Sequence, residues 1–296
     1  MASAPPSPDP AGSGPRDLDL GAFSDTAPWL ITDDPPPAWQ RRTTQIRDAV
    51  HRQVPELITP STFPPGRRVI TVGRHLGRAV LGWGLGARRE GGSASKADLS
   101  RRLRIAAETL GPTYIKLGQI ISSGEGIFPA ELVAEFRKCR DQVPAEPFAV
   151  IEQIVREELG RPLTEVFTHF DATPLAAASI AQVHGATLLD GTDVVVKVQR
   201  PSVSDLVHRD LRVMAWLAPF MIGRIPIAAL ANPPALVEVF AQTISEELDF
   251  RLEAENQLDV ARSFAELGQR AYVVPRPHPE LVTRRMLVME RLSGFN

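Results

Sequence analysis

Residues 175–201 read LAAASIAQVHGATLLDGTDVVVKVQRP, and the fold turns on this stretch. Ala176, Ala177, Ala178 and Ser179 lead into the run Ile180-Ala181-Gln182-Val183-His184. Leu189-Asp190-Gly191 follow, and then Val194-Val195-Val196-Lys197-Val198. Two β-rich runs joined through Asp-Gly predict a hairpin, because glycine tolerates the positive φ of a tight turn. The small residues before the first strand let backbone come close to a ligand, and Lys197 extends a fixed positive charge from the second. That order suits the holding of phosphates. Spacing alone leaves an ordinary surface hairpin with a solvated lysine open as well.

Composition narrows the setting. The 296 residues are 43% apolar, enough for a sizeable core in one large domain or two small ones. A formal net charge of −2 does not point to nucleic acid. Cys139 stands alone and the six histidines are scattered, so neither a disulfide, a thiolate zinc cluster nor another metal site is predicted. The start, MASAPPSPDPAGSG, lacks a basic segment followed by an apolar run, so no secretory signal is expected and a cytoplasmic setting fits. Arg212, Pro219, Arg224 and Pro226 interrupt the longest apolar stretch, 211–231. It is a poor membrane span, since each arginine at bilayer depth costs about 2.5–3.5 kcal/mol.

Taken in order, the chain divides at 1–66, 67–146 and 147–296. Nine of the 27 prolines fall in the first 40 residues, so residues 1–62 are expected to be mostly disordered. Trp29, Leu30, Ile31 and Trp39 are candidates for transient docking, and 45–57 for one short helix. Between 67 and 104, ten Lys or Arg residues face only Glu90 and Asp98. Val69, Val72, Leu76, Val80 and Trp83 recur three or four apart, with Arg67, Arg74 and Arg78 elsewhere on the turn. That is an amphipathic helix with a basic side, packed on its own domain or lying on an anionic membrane. Gly82, Gly84 and Gly86 follow no strand and are not read as a phosphate loop. Leu99 to Leu110 predicts a second helix, and Pro112 opens a third that places Lys116 and Gln119 on one side. Further helices should start at Pro129, carrying Leu132, Phe136 and Cys139, and at Pro147, the latter ending at Gly160. After the hairpin, 203–217 reads as helix. One long helix is expected over 234–267, then strands over 271–275 and 286–290.

Five segments together resemble the UbiB-like, or aarF-domain, atypical kinases. GPTYIKLGQIISS is similar to their KxGQ signature, and AAASIAQVH to the alanine-rich loop that replaces a kinase glycine loop. VVVKVQRP resembles the lysine strand, EELDFRLEAEN the ExD segment with its following glutamate, and VMERLSG the strand leading to the hinge. The resemblance implies an α+β fold: a kinase-like small lobe, antiparallel sheet plus long helix, carrying a helical KxGQ extension, with the large lobe absent from these residues. It implies that Lys197 contacts the phosphates of ATP or ADP and pairs with Glu253. Ala176, Ala177, Ala178, Ser179, Ile180, Ala181 and Gln182 would cover the nucleotide, and Glu290 would sit at the hinge beside it. Lys116 and Gln119 would reach over the site towards Glu247 and Asp249. Magnesium is implied, with its ligands in the second lobe. Membrane association and a link to lipid or quinone-biosynthesis proteins are implied too, at the inner face of a membrane.

No catalytic residue is expected in the chain itself. His208-Arg209-Asp210-Leu211 spells a kinase catalytic-loop signature, yet position 215 is Ala rather than Asn and the motif lies before Glu253. His184 has no evident acid partner and reads as structural. Two functions stay open: the nucleotide-holding part of a kinase or ATPase, and a non-catalytic module that docks on a membrane or partner.

Overall fold

The computed structural model describes residues 23–24, 28–32, 35–86, 91–139, 143–222 and 232–292. Among them, helices α1 (Thr43–Ile58), α2 (Arg68–Leu85), α3 (Gly92–Leu110), α4 (Pro112–Ser122) and α5 (Ala130–Phe136) precede α6 (Phe148–Leu159). Strands β1 (Phe167–Phe170), β2 (Ala176–Ala177), β3 (Ala181–Leu188) and β4 (Asp193–Gln199) come next. Then follow α7 (Val203–Met221), α8 (Pro233–Glu247), α9 (Phe250–Glu266), β5 (Pro277–Val282) and β6 (Met286–Glu290). The strands form one antiparallel sheet in the order β1-β3-β4-β6-β5, with β2 beside β3. This is the expected α+β arrangement of helices plus antiparallel sheet.

The hairpin forms as its sequence predicts. Gly191 sits at φ 88°, and the Asp190 side chain accepts the Thr192 N–H at 2.9 Å, closing the turn between β3 and β4. Residues directly opposite in an antiparallel pair project to the same face. Val194, Val196 and Val198 therefore join Ala186, Met286 and Val288 on the face covered by α6, through Ile151, Ile154 and Val155. Lys197 shares the other face with Val183 and Leu287. On that side α9 packs, backed by the helices of the larger core cluster.

Three expectations need correction. The long helix over 234–267 is two helices, broken at Leu248 and Asp249. The Leu248 carbonyl accepts from Gln199 Nε2 at 3.0 Å, and the Phe250 N–H turns away to Arg284 O at 3.0 Å. Asp249 then caps α9, its carboxylate accepting the Arg251 N–H.

The strand expected over 271–275 lies further on, at β5 (Pro277–Val282). Its prolines, Pro277 and Pro279, read against a strand, but β5 is the edge of the sheet, where missing N–H groups are tolerated. Strand β1 was not anticipated at all.

The expectation of disorder through residue 62 also fails for the residues described there. Helix α1 runs for 16 residues, and Phe23, Ile31, Trp39, Val54 and Leu57 are buried in the larger cluster. These apolar groups are too sparse to form a core of their own. They gain burial against α8, α9 and the edge strand instead. Trp29 and Trp39 donate their indole N–H groups to the carbonyls of Pro277 and His278, at 2.9 and 3.2 Å. Two backbone acceptors of an open sheet edge are thereby satisfied. Residues 1–22 lie outside the described residues.

Candidate functional site

Strand β4 and helix α9 bring Lys197 to Glu253. The ammonium donates to both carboxylate oxygens, at 2.6 and 2.8 Å, and lies 5.1 Å from the centre of the Phe250 ring. The two side chains keep 22% and 30% of their surface exposed, so the pair stays partly open to solvent. Glu253 can face the strand because α9 starts at Phe250, which puts it in the first turn of a helix aimed by the break. There a carboxylate also gains from the helix dipole.

The alanine segment pairs with β3 as β2 and turns tightly into it. Ala176 pairs with Val183 and Ala177 with Gln182, and the Ala178 N–H closes the turn on Ala181 O at 2.9 Å. Ala176 is exposed and Ala177 and Ala178 half-buried, while Ser179, Ile180 and Ala181 are buried. Gln182 does not share the face of Lys197. It is fully buried opposite Val198, its carbonyl oxygen accepts the Glu146 N–H, and its Nε2 lies 3.3 Å from His184 Nε2. His184 Nδ1 donates to Asp171 O at 2.8 Å, which leaves Nε2 to accept from Gln182. Burial pulls the His184 imidazole below its ordinary value, as suits a neutral structural ring.

Arg200 holds this loop in place, and sequence reasoning missed it. Buried just after β4, its guanidinium donates to Ala178 O at 2.9 Å, Pro144 O at 2.9 Å and Val143 O at 3.3 Å, and meets Glu146 at 3.1 Å. Its backbone N–H takes Ile180 O at 2.9 Å. One side chain thus ties the alanine turn to the segment entering α6. The only sequence signal was an arginine between a buried strand and a proline.

Lys116 on α4 reaches Glu247, at the end of α8, at 2.7 Å. The second Glu247 oxygen is buried with no hydrogen-bond partner among the described residues. Gln119 is half-buried one turn along α4, its backbone carbonyl accepting from Ser122 Oγ at 2.6 Å. Asp249 is engaged elsewhere, with its carboxylate on the Arg251 guanidinium at 2.6 and 2.9 Å, which raises the Arg251 pKa. Glu290 lies opposite Val194, on the α6 side of the sheet. Its oxygens accept from Ser24 Oγ and from the Arg276 N–H. Gln182 and Glu290 therefore turn their side chains away from the Lys197–Glu253 pair, and Asp249 is taken up by Arg251.

The catalytic-loop imitation is an internal tie. Asp210, fully buried on α7, accepts from Arg68 Nε at 2.7 Å and Nη2 at 3.2 Å, and Arg68 also donates to Leu110 O at 2.6 Å. The pair pins α2 and the end of α3 to α7. Among the described residues, no group of three or more His, Cys, Asp or Glu side chains is placed to hold a metal ion.

The ABC1 atypical kinase-like domain matches residues 138–296. The chain is similar to an uncharacterized aarF domain-containing protein kinase, chloroplastic, of Arabidopsis thaliana, 40% identical over 194 residues. That alignment covers 65% of this chain and 36% of the relative. It is also similar to a probable protein kinase UbiB of Aeromonas salmonicida, 38% identical over 201 residues, covering 67% of this chain and 36% of the relative. The chain thus spans about a third of the length of the curated relatives it matches. The erythromycin complex of Rv3197 from Mycobacterium tuberculosis shows 30% identity over 51% of this chain and 37% of that one, at a TM-score of 0.41. The chain belongs to the ABC1 atypical kinase-like family.

Proposed function

We propose that the chain builds the nucleotide-holding small lobe of an atypical kinase or ATPase. ATP or ADP sits beside β4, its α- and β-phosphates on Lys197 and its upper face under Ala176 to Ala178. The supporting observation is the Lys197–Glu253 fork at 2.6 and 2.8 Å. An ammonium has three donors. Two are spent on fixing its position, and the third is available to a phosphate oxygen. A cation held in place before the ligand arrives needs no reorganisation when negative charge appears, which is where such sites gain most. Methyl side chains in the cover let backbone N–H groups come near the phosphates, and Arg200 keeps the turn rigid. Lys116 and Glu247 belong to the same site as a brace between α4 and the α8–α9 joint. Magnesium, which the resemblance implies, has no matching ligand set among the described residues, and no step is assigned to it.

In the whole protein the γ-phosphoryl group is hydrolysed or transferred. A role in quinone or lipid metabolism is supported by the UbiB name of several relatives and by the KxGQ-like helix. Calorimetric titration of the full-length protein with ADP tests the reading. Lys197→Ala should weaken binding at least tenfold with an unchanged circular dichroism spectrum, whereas equal affinity would remove the assignment.

A second reading, docking on an anionic membrane, is carried by α2. Its outer side presents Ile70, Leu81 and Leu85, 72%, 67% and 83% exposed, between the exposed Arg67, Arg74 and Arg78. No helix of the described residues is long and apolar enough to cross a bilayer. A helix with alternating basic and apolar surface groups can lie in the interface instead. Both readings can hold of one protein.

A further inference from the structure

Helices α2, α3, α4, α5, α7 and α8 line a pocket of about 450 Å³, partly open to solvent, and neither Lys197 nor Glu253 is among its lining residues. We propose that it is a binding site for a small, uncharged, largely hydrocarbon molecule bearing at most one neutral oxygen. The inference rests on the helices alone and stands apart from the nucleotide reading.

Size decides first. Well-packed interiors hold few voids larger than a water molecule, and an engineered apolar cavity of about 150 Å³ already takes up benzene. A space of about 450 Å³ lies within the range of about 300–1,000 Å³ typical of small-molecule pockets. A peptide helix is too large for it: two turns, about 11 Å long and about 10 Å across, need about 850 Å³.

The lining decides the chemistry. Leu76, Leu103, Leu117, Phe136 and Leu217 stand around it, and among the described residues Tyr114 is the only one in the lining with a side-chain oxygen. That hydroxyl is buried with no hydrogen-bond partner among the described residues, and burial, with the nearby Asp210 charge, pushes its pKa well above the ordinary tyrosine value. Among the described residues no lining side chain carries a charge, so a charged ligand would lose its hydration without compensation from them. The space exists partly because α2 presents Gly73 and Gly77 to it, and a Cβ built at either meets nothing within 4 Å. Helix α4 is the shared wall. Tyr114, Leu117 and Ile121 line the cavity while Lys116 pairs with Glu247.

The test uses N-phenyl-1-naphthylamine, an uncharged dye that brightens in apolar surroundings, with the full chain. Saturable brightening is expected, with displacement by 1-decanol but not by decanoate at the same concentration. Gly77→Leu, which replaces a poor helix former and fills the space from α2, should weaken dye binding at least tenfold. Leu217→Trp, filling it from α7, should do the same, so the outcome does not depend on one variant folding. Absence of saturable binding, equal binding by both filled variants, or displacement by decanoate as effective as by decanol would each overturn the proposal.

Discussion

Gln199 Nε2 donates to the Leu248 carbonyl at 3.0 Å, two residues along the strand from Lys197 and five before Glu253. One strand therefore supplies both the lysine and the bond that ends α8, so that α9 can start where Glu253 faces it. The ion pair and the helix break are parts of one arrangement.

Replacing Gln199 by Leu should strip the Leu248 carbonyl of its partner in a buried place. An unsatisfied buried acceptor costs about 1–3 kcal/mol. Urea unfolding should show that loss, and hydrogen exchange at residues 248–254 should quicken more than elsewhere. An unchanged midpoint with unchanged exchange at the joint would sever the link between break and pair.

Arg200→Lys is expected to behave as a severe change. A lysine cannot reproduce the planar fork that meets Ala178, Pro144 and Val143 together. Limited proteolysis should then cut within residues 174–181 at enzyme levels that leave the wild type intact. Equal resistance would show that the turn is rigid without the guanidinium.

Asp210→Asn distinguishes an internal tie from a catalytic loop. Removing one partner from a buried ion pair costs about 3–5 kcal/mol, so the melting temperature should fall sharply. Arg68→Met combined with Asp210→Leu should recover much of it, since neither charge is then stranded. At a temperature where Asp210→Asn remains folded, ADP affinity should match the wild type. A stable variant with lost turnover would instead give the His208-Arg209-Asp210-Leu211 motif a chemical role.

Acid should loosen the edge of the sheet. Burial pulls the His278 imidazole down to about 4, with the ring packed against Trp29 at 4.8 Å and accepting the Glu280 and Leu281 N–H groups. Its folded value lies below the unfolded one of about 6.5, so this stability is present above pH 6.5 and is lost as pH falls towards 4. At pH 5 the loss should be about 2 kcal/mol. Burial lowers His184 in the same direction. Chemical denaturation between pH 7 and 5 should show a smaller slope for His278→Asn, and identical slopes would rule out the imidazole as the source.

Vesicle sedimentation examines the outer side of α2. The protein should pellet with anionic vesicles, remain in the supernatant with neutral ones, and be released as salt screens the arginines. Arg74→Glu with Arg78→Glu should abolish pelleting. Recovery independent of lipid charge would leave Ile70, Leu81 and Leu85 without a membrane role.

The parts of this fold written in local sequence were readable. Asp190-Gly191 marks the hairpin turn, Pro112 starts α4, and Gly160 ends α6 in the left-handed conformation. The parts set by distant bonds were not. Asp249 can cap a helix locally, but the bonds that hold the break open come from Gln199, 49 residues before Leu248, and from Arg284, well after it. Strand β5 was hidden because its prolines count against a strand unless its edge position is known. Trp29 and Trp39 were candidates for transient docking only, because the surface they dock on lies more than 200 residues away in sequence. Spacing placed Lys197 correctly in a strand, but only the sheet register shows that Gln182 and Glu290 turn their side chains to the other face.

The sequence contains four lysines, Lys96, Lys116, Lys138 and Lys197, which makes one measurement especially direct. An acyl-phosphate derivative of ATP transfers its acyl group to a lysine lying against the phosphates, and mass spectrometry of the digested 296-residue chain finds the modified residue. The account predicts acylation at Lys197, suppressed by excess ATP, with the other three unprotected. Acylation confined to the other lysines, or labelling of Lys197 that excess ATP leaves unchanged, would contradict it.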